Sequence, residues 1–404
     1  MTSTPAATEA SPDGRAQDDR AEIASRLATA LTALRGLELG DEFDRRAAEA
    51  IVAAKLHTVV VPRANGGLGA DIVDAAEMLA AIGATDGSTA LGFAMHVHVV
   101  GSIADSPGWP EPLRDWLYRE VVEGGALVNA ASTEEAGGSP ARGAVPGTVA
   151  QPTPNGYRLS GEKTWTTWLP ALRYALVSAR VGGAETSGDP PRVGTFLVDL
   201  EAAGVSRLPG FDALGMRGSA SGRLRLEGVE VGRDKVLGIR AVGSPDPRGP
   251  APQAWFGIAV AAVYLGVGEG ARSEVARWAI ARRPGDGSTA VADIPTVQLR
   301  LGRIDAALRA ARIVVLEVAR RWRLADASAR ASLSPDLALA KLQATSAAVL
   351  ATDEALRIAG GPGFLAGRIE RAFRDARAGL INPPLEDVAL QGFARTVLDR
   401  ERGD

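Results

Sequence analysis

Residues 155–167, NGYRLSGEKTWTT, stand between two Ala-rich regions and do not share their pattern. Asn155 and Gly156 both tolerate the left-handed backbone of a two-residue hairpin turn, so a strand begins directly after them. Its neighbours on either side read the same way: ALVNAAST (126–133), GTVAQPT (147–153), YALVSARV (174–181), GTFLVDL (194–200) and RLRLEGVEV (223–231) are short β-type runs with a period of two. The middle of the chain, 126–238, is therefore expected to be a β domain.

Outside it the period lengthens to that of helices. AEIASRLATALTALRGL, DEFDRRAAEAIVAAKL and DIVDAAEMLAAIGAT, bordered by Asp or Gly, predict an N-terminal helical domain over 18–125 behind a disordered lead, 1–17. The loop VVVPRANGGLGAD interrupts these helices, and such loops often wall a pocket. The Pro- and Gly-rich 239–253 reads as a linker into a helical region, 254–404. There Leu301, Ile304, Leu308, Ala311, Val315, Val318 and Trp322 recur at spacings of three and four, the seam of a bundle helix. Gly257, Gly266 and Gly270 are small enough for close helix approach, and Gly360 and Gly361 stop the last long helix. The expected class is mainly α with a central β domain (α+β).

Composition narrows the function. A net charge of −3 gives no basic footprint for phosphate backbones, so nucleic acid is set aside in favour of small molecules. With no cysteine among 404 residues, disulfides, thiolate metal sites and a cysteine nucleophile are excluded, no metal site is expected, and redox chemistry needs a bound cofactor. The N-terminus lacks a signal-like charge and apolar pattern, which predicts a cytoplasmic chain. The apolar run 255–268 is shorter than the roughly 18 residues that cross a bilayer, so it reads as a core helix and not a membrane span.

Five motifs, TEEAGGS (133–139), LSGEKTWTT (159–167), LGMRGSAS (214–221), AGGPGF (359–364) and ERAFRDAR (370–377), resemble signatures of the acyl-CoA dehydrogenase superfamily, and occur in its order. The resemblance covers about residues 40–400. It implies an N-terminal helical domain, a middle β-barrel or sandwich, a C-terminal four-helix bundle, and FAD as cofactor. Carried over position by position, it implies flavin contacts at Thr133, Ser139, Trp165 and Thr167, and dinucleotide contacts at Arg282, Arg357, Gly360 and Gly361 that need a homodimer or homotetramer. Ser219 and Ser221 are carried over as substrate contacts, and the pair Arg374 and Asp375 as a structural tie between the last helices. By themselves, Trp165 and the threonines also fit an ordinary strand, Ser139 a turn, and Arg282 a helix C-terminus.

The resemblance implies hydride transfer from an acyl thioester to flavin N5, with a glutamate removing the α-proton. In the commonest branch that glutamate lies nine residues beyond the arginine of Arg-Asp, and counting from Arg374 gives Pro383, which has no titratable group. The stretch APQAWFG, where a second branch places it, carries Gln253 and Trp255 and no acid. Substitute candidates are Glu386 and Asp387 just beyond Pro383, and His96 and His98, of which only one can face a pocket because residues two apart on a helix point to different faces. His57 has no argued role. The alternative is a monooxygenase of the same fold, using reduced flavin from a separate reductase. A further alternative is a non-catalytic flavin-binding subunit. Partners would be a small molecule such as an acyl-CoA, with an electron-transfer flavoprotein or a flavin reductase.

Overall fold

The computed structural model describes residues 12–135, 145–182, 190–285 and 287–402, with side chains from residue 17 onward. Five helices open the chain: α1 (Pro12–Arg35), α2 (Arg45–Ala53), α3 (Ile72–Gly83), α4 (Gly87–Ala104) and α5 (Glu111–Val122). Helix α1 thus begins within the segment expected to be a disordered lead. Asp side chains start three of these helices. Asp44 accepts from Arg46 N–H, Asp71 forms a capping box with Asp74, and Asp86 accepts from Thr89 N–H at 2.7 Å.

The middle region forms one mixed sheet from β1 (Val128–Ala131), β2 (Val149–Thr153), β3 (Gly156–Thr166), β4 (Tyr174–Val181), β5 (Arg192–Asp199), β6 (Val205–Gly210), β7 (Gly222–Gly232) and β8 (Val236–Ala241). Its order is β6-β7-β3-β2-β4-β5-β8, with β1 also parallel to β4. The hairpin expected at Asn155-Gly156 is present, pairing Thr153 with Gly156. Strands β3 and β5 are three steps apart in this order, about 14 Å in a flat sheet. Yet the rings of Tyr157 and Phe196 lie 5.1 Å apart, edge to face, so the sheet curls strongly on itself. The barrel or sandwich expected from resemblance takes the form of this single curled sheet.

Strand β8 extends to Ala241 because residues 236–241 pair with β5, and the next helix starts at Ala251. The irregular connection is therefore 242–250, shorter than the expected linker. The bundle comprises α6 (Ala251–Ala281), α7 (Pro295–Leu324), α9 (Ser334–Ala359) and α10 (Arg368–Ile381), with the short α8 (Ala327–Ser332) and α11 (Glu386–Arg402) at its edge. Six of the seven seam residues of α7 are buried, Leu301 being partly so. Each fully buried aliphatic side chain contributes about 1.5–3 kcal/mol.

Helix α6 is long and apolar enough to span a membrane, but 83% of its most apolar window is buried inside the protein. It lies against α3, α4 and α9, which makes it the central rod. A Cβ on Gly266 would run into the Ala80 carbonyl and one on Gly270 would come within 2.6 Å of the Ala84 carbonyl, so these two glycines let α6 approach α3. Gly257, by contrast, has open space beside it. Asp105 fastens the assembly, accepting from the indoles of Trp255 (2.8 Å) and Trp322 (2.9 Å) and from Arg330 (3.0 Å).

Candidate functional site

The open space beside Gly257 belongs to a cavity of about 710 Å³ between the curled sheet and the bundle. Its walls come from α4 (Met95, His98), β1 and the residues after it (Asn129, Ala130, Ser132, Thr133), strands β4, β5 and β8, the 242–250 connection, and the start of α6. Leu337 and Ala338 of α9, Pro383, Pro384 and Val388 close it.

Residues of the first three motifs converge beside this cavity. Thr133 lines it, and its carbonyl accepts from Thr164 N–H at 2.8 Å, which joins the first motif to the end of β3. Asn129 also lines it and donates through Nδ2 to the Thr167 carbonyl at 3.1 Å. Thr167 Oγ1 lies 2.9 Å from Ser221 Oγ, which lies 3.0 Å from Ser219 Oγ, so the third motif extends the same polar edge. Ser139 falls outside the described residues.

Strand β3 is bent where this happens. Its register against β7 shifts between Lys163 and Thr166, and Trp165 (φ 56) and Trp168 (φ 59) adopt left-handed backbone. That conformation is uncommon for bulky residues and marks a site held by its surroundings. Trp168 is buried over Gly92 of α4, where a Cβ would collide with the indole. Trp165 remains 47% exposed, stacked on Phe211 at 4.4 Å. A buried ion pair braces the bend: Lys163 Nζ contacts Glu134 Oε1 at 2.5 Å, with side chains 0% and 8% exposed. Glu134 further accepts from Gly147 N–H and from Thr148 through both N–H and Oγ1. Burial would raise its pKa, but Lys163 and Thr148 outweigh that and hold the carboxyl below the usual range.

The histidines separate. His96 is spent in the core, its Nε2 donating to the His57 carbonyl at 2.9 Å and its Nδ1 accepting from Val128 N–H at 3.2 Å. His98 faces the cavity, edge-on to Phe256 at 5.4 Å, with Nδ1 buried and lacking a well-formed hydrogen bond. Burial pushes His98 down to about 4, so its ring is neutral at pH 7.

Pro383 and Pro384 stand on the cavity wall. Their turn is held by Lys341, a buried lysine that donates to the carbonyls of Gly379 (2.7 Å) and Pro384 (3.0 Å), and by Tyr264 Oη, which donates to Asn382 Oδ1. Glu386 and Asp387 are exposed in the first turn of α11 and do not reach this wall. Among the described lining residues the one carboxylate is Asp246, bound twice by the Arg248 guanidinium at 3.0 and 2.7 Å. Arg282, Arg357, Gly360 and Gly361 are exposed at the ends of α6 and α9, outside the cavity. The Arg374–Asp375 pair ties α10 outward rather than to its neighbouring helices. Asp375 Oδ1 accepts from Met216 N–H at 2.5 Å, and Arg374 pairs with Glu370 and, at 3.0 Å, with Asp41.

Sequence reasoning passed over Asn129, Lys163, Lys341 and the Arg240–Arg248 segment. Asn129 had a local signal, as the one amide within an apolar strand. Lys163 and its partner Glu134 each stood inside a quoted motif, whereas Lys341 had no signal, because its partners lie 38 and 43 residues away.

Family models for the acyl-CoA dehydrogenase middle domain and C-terminal domain match residues 129–229 and 255–382. The chain is 31% identical to the putative acyl-CoA dehydrogenase YdbM of Bacillus subtilis, over 83% of this chain and 85% of that protein. It is 29% identical to the amino sugar nitrososynthase DnmZ of Streptomyces peucetius, over 83% and 80%. Among solved structures, the dibenzothiophene monooxygenase TdsC of Paenibacillus sp. A11-2, with FMN and indole, superposes with a TM-score of 0.79 at 24% identity, covering 96% of this chain and 97% of that one. The shared architecture, the converging motifs and the YdbM match agree: this chain belongs to the acyl-CoA dehydrogenase family.

Proposed function

We propose that this protein is a flavin-dependent monooxygenase built on the acyl-CoA dehydrogenase fold. The observation that carries this reading is the cavity wall itself. Where dehydrogenation requires a free carboxylate there is Pro383, and the described lining offers only Asp246, already neutralised by Arg248. A positioned general base is worth about a hundredfold to ten-thousandfold in rate, so a wall without one is poorly suited to α-proton abstraction.

The residues present fit a flavin. A flat, largely apolar ring needs an aromatic or aliphatic face and a few donors at its edge, and half-exposed Trp165 beside the Thr167–Ser221 hydroxyl pair and Thr133 supplies both. When bound, a reduced flavin supplies the two electrons that let one oxygen atom of dioxygen enter the product while the other leaves as water. The protein's own part is to keep this space apolar, through Met95, Leu176, Phe256 and Leu337, and to offer a neutral imidazole at His98. Asn129 fixes the Thr167 backbone, and Lys163–Glu134 fixes the strand behind it. The positions that would hold the second half of an FAD lie outside this cavity, so that half would call on another copy of the chain; an FMN would not.

Dehydrogenation, the first expectation from the sequence, is the second reading, favoured by the 31% identity to YdbM. Anaerobic mixing of the flavin-loaded protein with butyryl-, octanoyl- and palmitoyl-CoA separates the two. The proposal predicts unchanged flavin absorbance with all three, and bleaching by any of them overturns it.

A further inference from the structure

Arg240, Asp246 and Arg248 stand together on the cavity wall where β8 runs into α6. Their charges do not balance. The Asp246 carboxylate is taken up by Arg248, whose backbone N–H, Nε and Nη2 all donate to it at 2.7–3.0 Å. Burial would raise the Asp246 pKa, but Arg248 holds it below the ordinary range, with a lesser contribution from Arg240. Arg240 itself is half-buried and donates from Nη1 to the Ser244 carbonyl at 2.7 Å. Among the described residues no carboxylate lies in ion-pair contact with it. A guanidinium carries five N–H donors in a rigid fork, so one carbonyl leaves most of them unused.

The position is firm. Arg240 pairs with Val193 in the β5–β8 ladder, one residue before the end of β8. No acidic residue occupies the first turn of α6. The rest of the wall is apolar or neutral, including Met95, Leu176, Phe256, Leu337 and the uncharged ring of His98. A half-buried cation beside an apolar space is favourable when an anion joins it.

We propose, resting on the reading of this cavity as the reaction site, that its substrate is an apolar, aryl-sized molecule bearing one anionic group, which Arg240 receives. Arg240 is thus a specificity-determining residue. The apolar wall accepts the body, and the guanidinium fixes which end faces the connection at 242–250.

The test uses the flavin-loaded holoenzyme and two probes of one shape: anilinonaphthalene sulfonate and its uncharged parent N-phenyl-naphthylamine. Binding is read by probe fluorescence and by the shift each produces in the visible absorbance of the flavin. The expected result is binding of the sulfonate about tenfold to a hundredfold tighter, the range of one charge-assisted contact. Arg240→Gln removes that preference and leaves the uncharged probe unchanged, while Arg240→Lys retains part of it. In the unmodified protein, raising salt weakens the sulfonate alone, a readout that does not depend on any variant folding. Equal affinity for both probes, or a preference that survives in Arg240→Gln, overturns the anion assignment while a flavin shift keeps the site reading intact. No flavin shift with either probe overturns the site reading and this assignment with it.

Discussion

Replacing Lys163 by methionine tests the brace behind the bent strand. Its ammonium is fully buried and meets Glu134 at 2.5 Å, with Ser178 Oγ at 3.3 Å as a second contact. Breaking a buried pair from one side costs about 3–5 kcal/mol, chiefly because the remaining charge is stranded. The two sides are unequal here. Glu134 keeps three donors, from Gly147 and Thr148, when Lys163 is lost, so Lys163→Met belongs near 3 kcal/mol. Glu134→Gln leaves the buried Lys163 ammonium with neutral acceptors alone, an amide oxygen and the Ser178 hydroxyl, and turns an amide NH2 toward donors the carboxylate had received, so it belongs near 5 kcal/mol. The double variant strands no charge, and its cost should fall short of the sum by about 2 kcal/mol or more. Urea unfolding followed by tryptophan fluorescence reads all three, and flavin content should fall with stability because the pair supports Thr133 and the end of β3. Single costs below about 1 kcal/mol, or strict additivity, would refute the reasoning.

Other outcomes follow from the same geometry. Trp165→Ala should lower flavin retention on gel filtration without lowering the unfolding midpoint appreciably, because the ring is 47% exposed; unchanged flavin content removes Trp165 from the site. Glu386→Gln and Asp387→Asn should keep full activity, since both side chains are exposed and off the cavity wall; a large loss of turnover in either would restore the displaced-base idea. Acid should destabilise the fold in a defined window. Burial lowers His57 and His98 to about 4 and His96 to about 3, so between pH 6 and about 4.5 the unfolded chain takes up three protons that the folded chain does not. Asp375, raised to about 6 by burial, opposes this with one proton bound in the folded state, leaving a difference of two. Unfolding free energy should therefore drop by about 3 kcal/mol per pH unit there; a flat profile contradicts the burial of these rings.

Local pattern carried much of the architecture. The turn at Asn155-Gly156, the strand runs around it and the α7 seam were legible because periodicity and turn chemistry are properties of adjacent residues. The boundaries at 12 and 242–250 were less so, since β8 persists only because β5 supplies its hydrogen bonds. The site divides along the same line. Thr133, Trp165 and Thr167 were readable through motifs. Helical spacing allowed only one of His96 and His98 to face a pocket, but which one depends on the His57 carbonyl and Val128 N–H, far away in sequence. Lys341, Asn129 and Arg240 gain their meaning from carbonyls and walls that only the folded chain brings near.

On the proposed reading, the described cavity wall holds no free base able to take an α-proton. Exchange of the α-protons of butyryl-CoA with deuterium oxide, followed by NMR in the presence of the flavin-loaded protein, measures that ability without requiring hydride transfer or an electron acceptor. The account predicts exchange no faster than in buffer alone. Exchange that scales with protein concentration would contradict it, and would place a working base on the wall that carries Pro383.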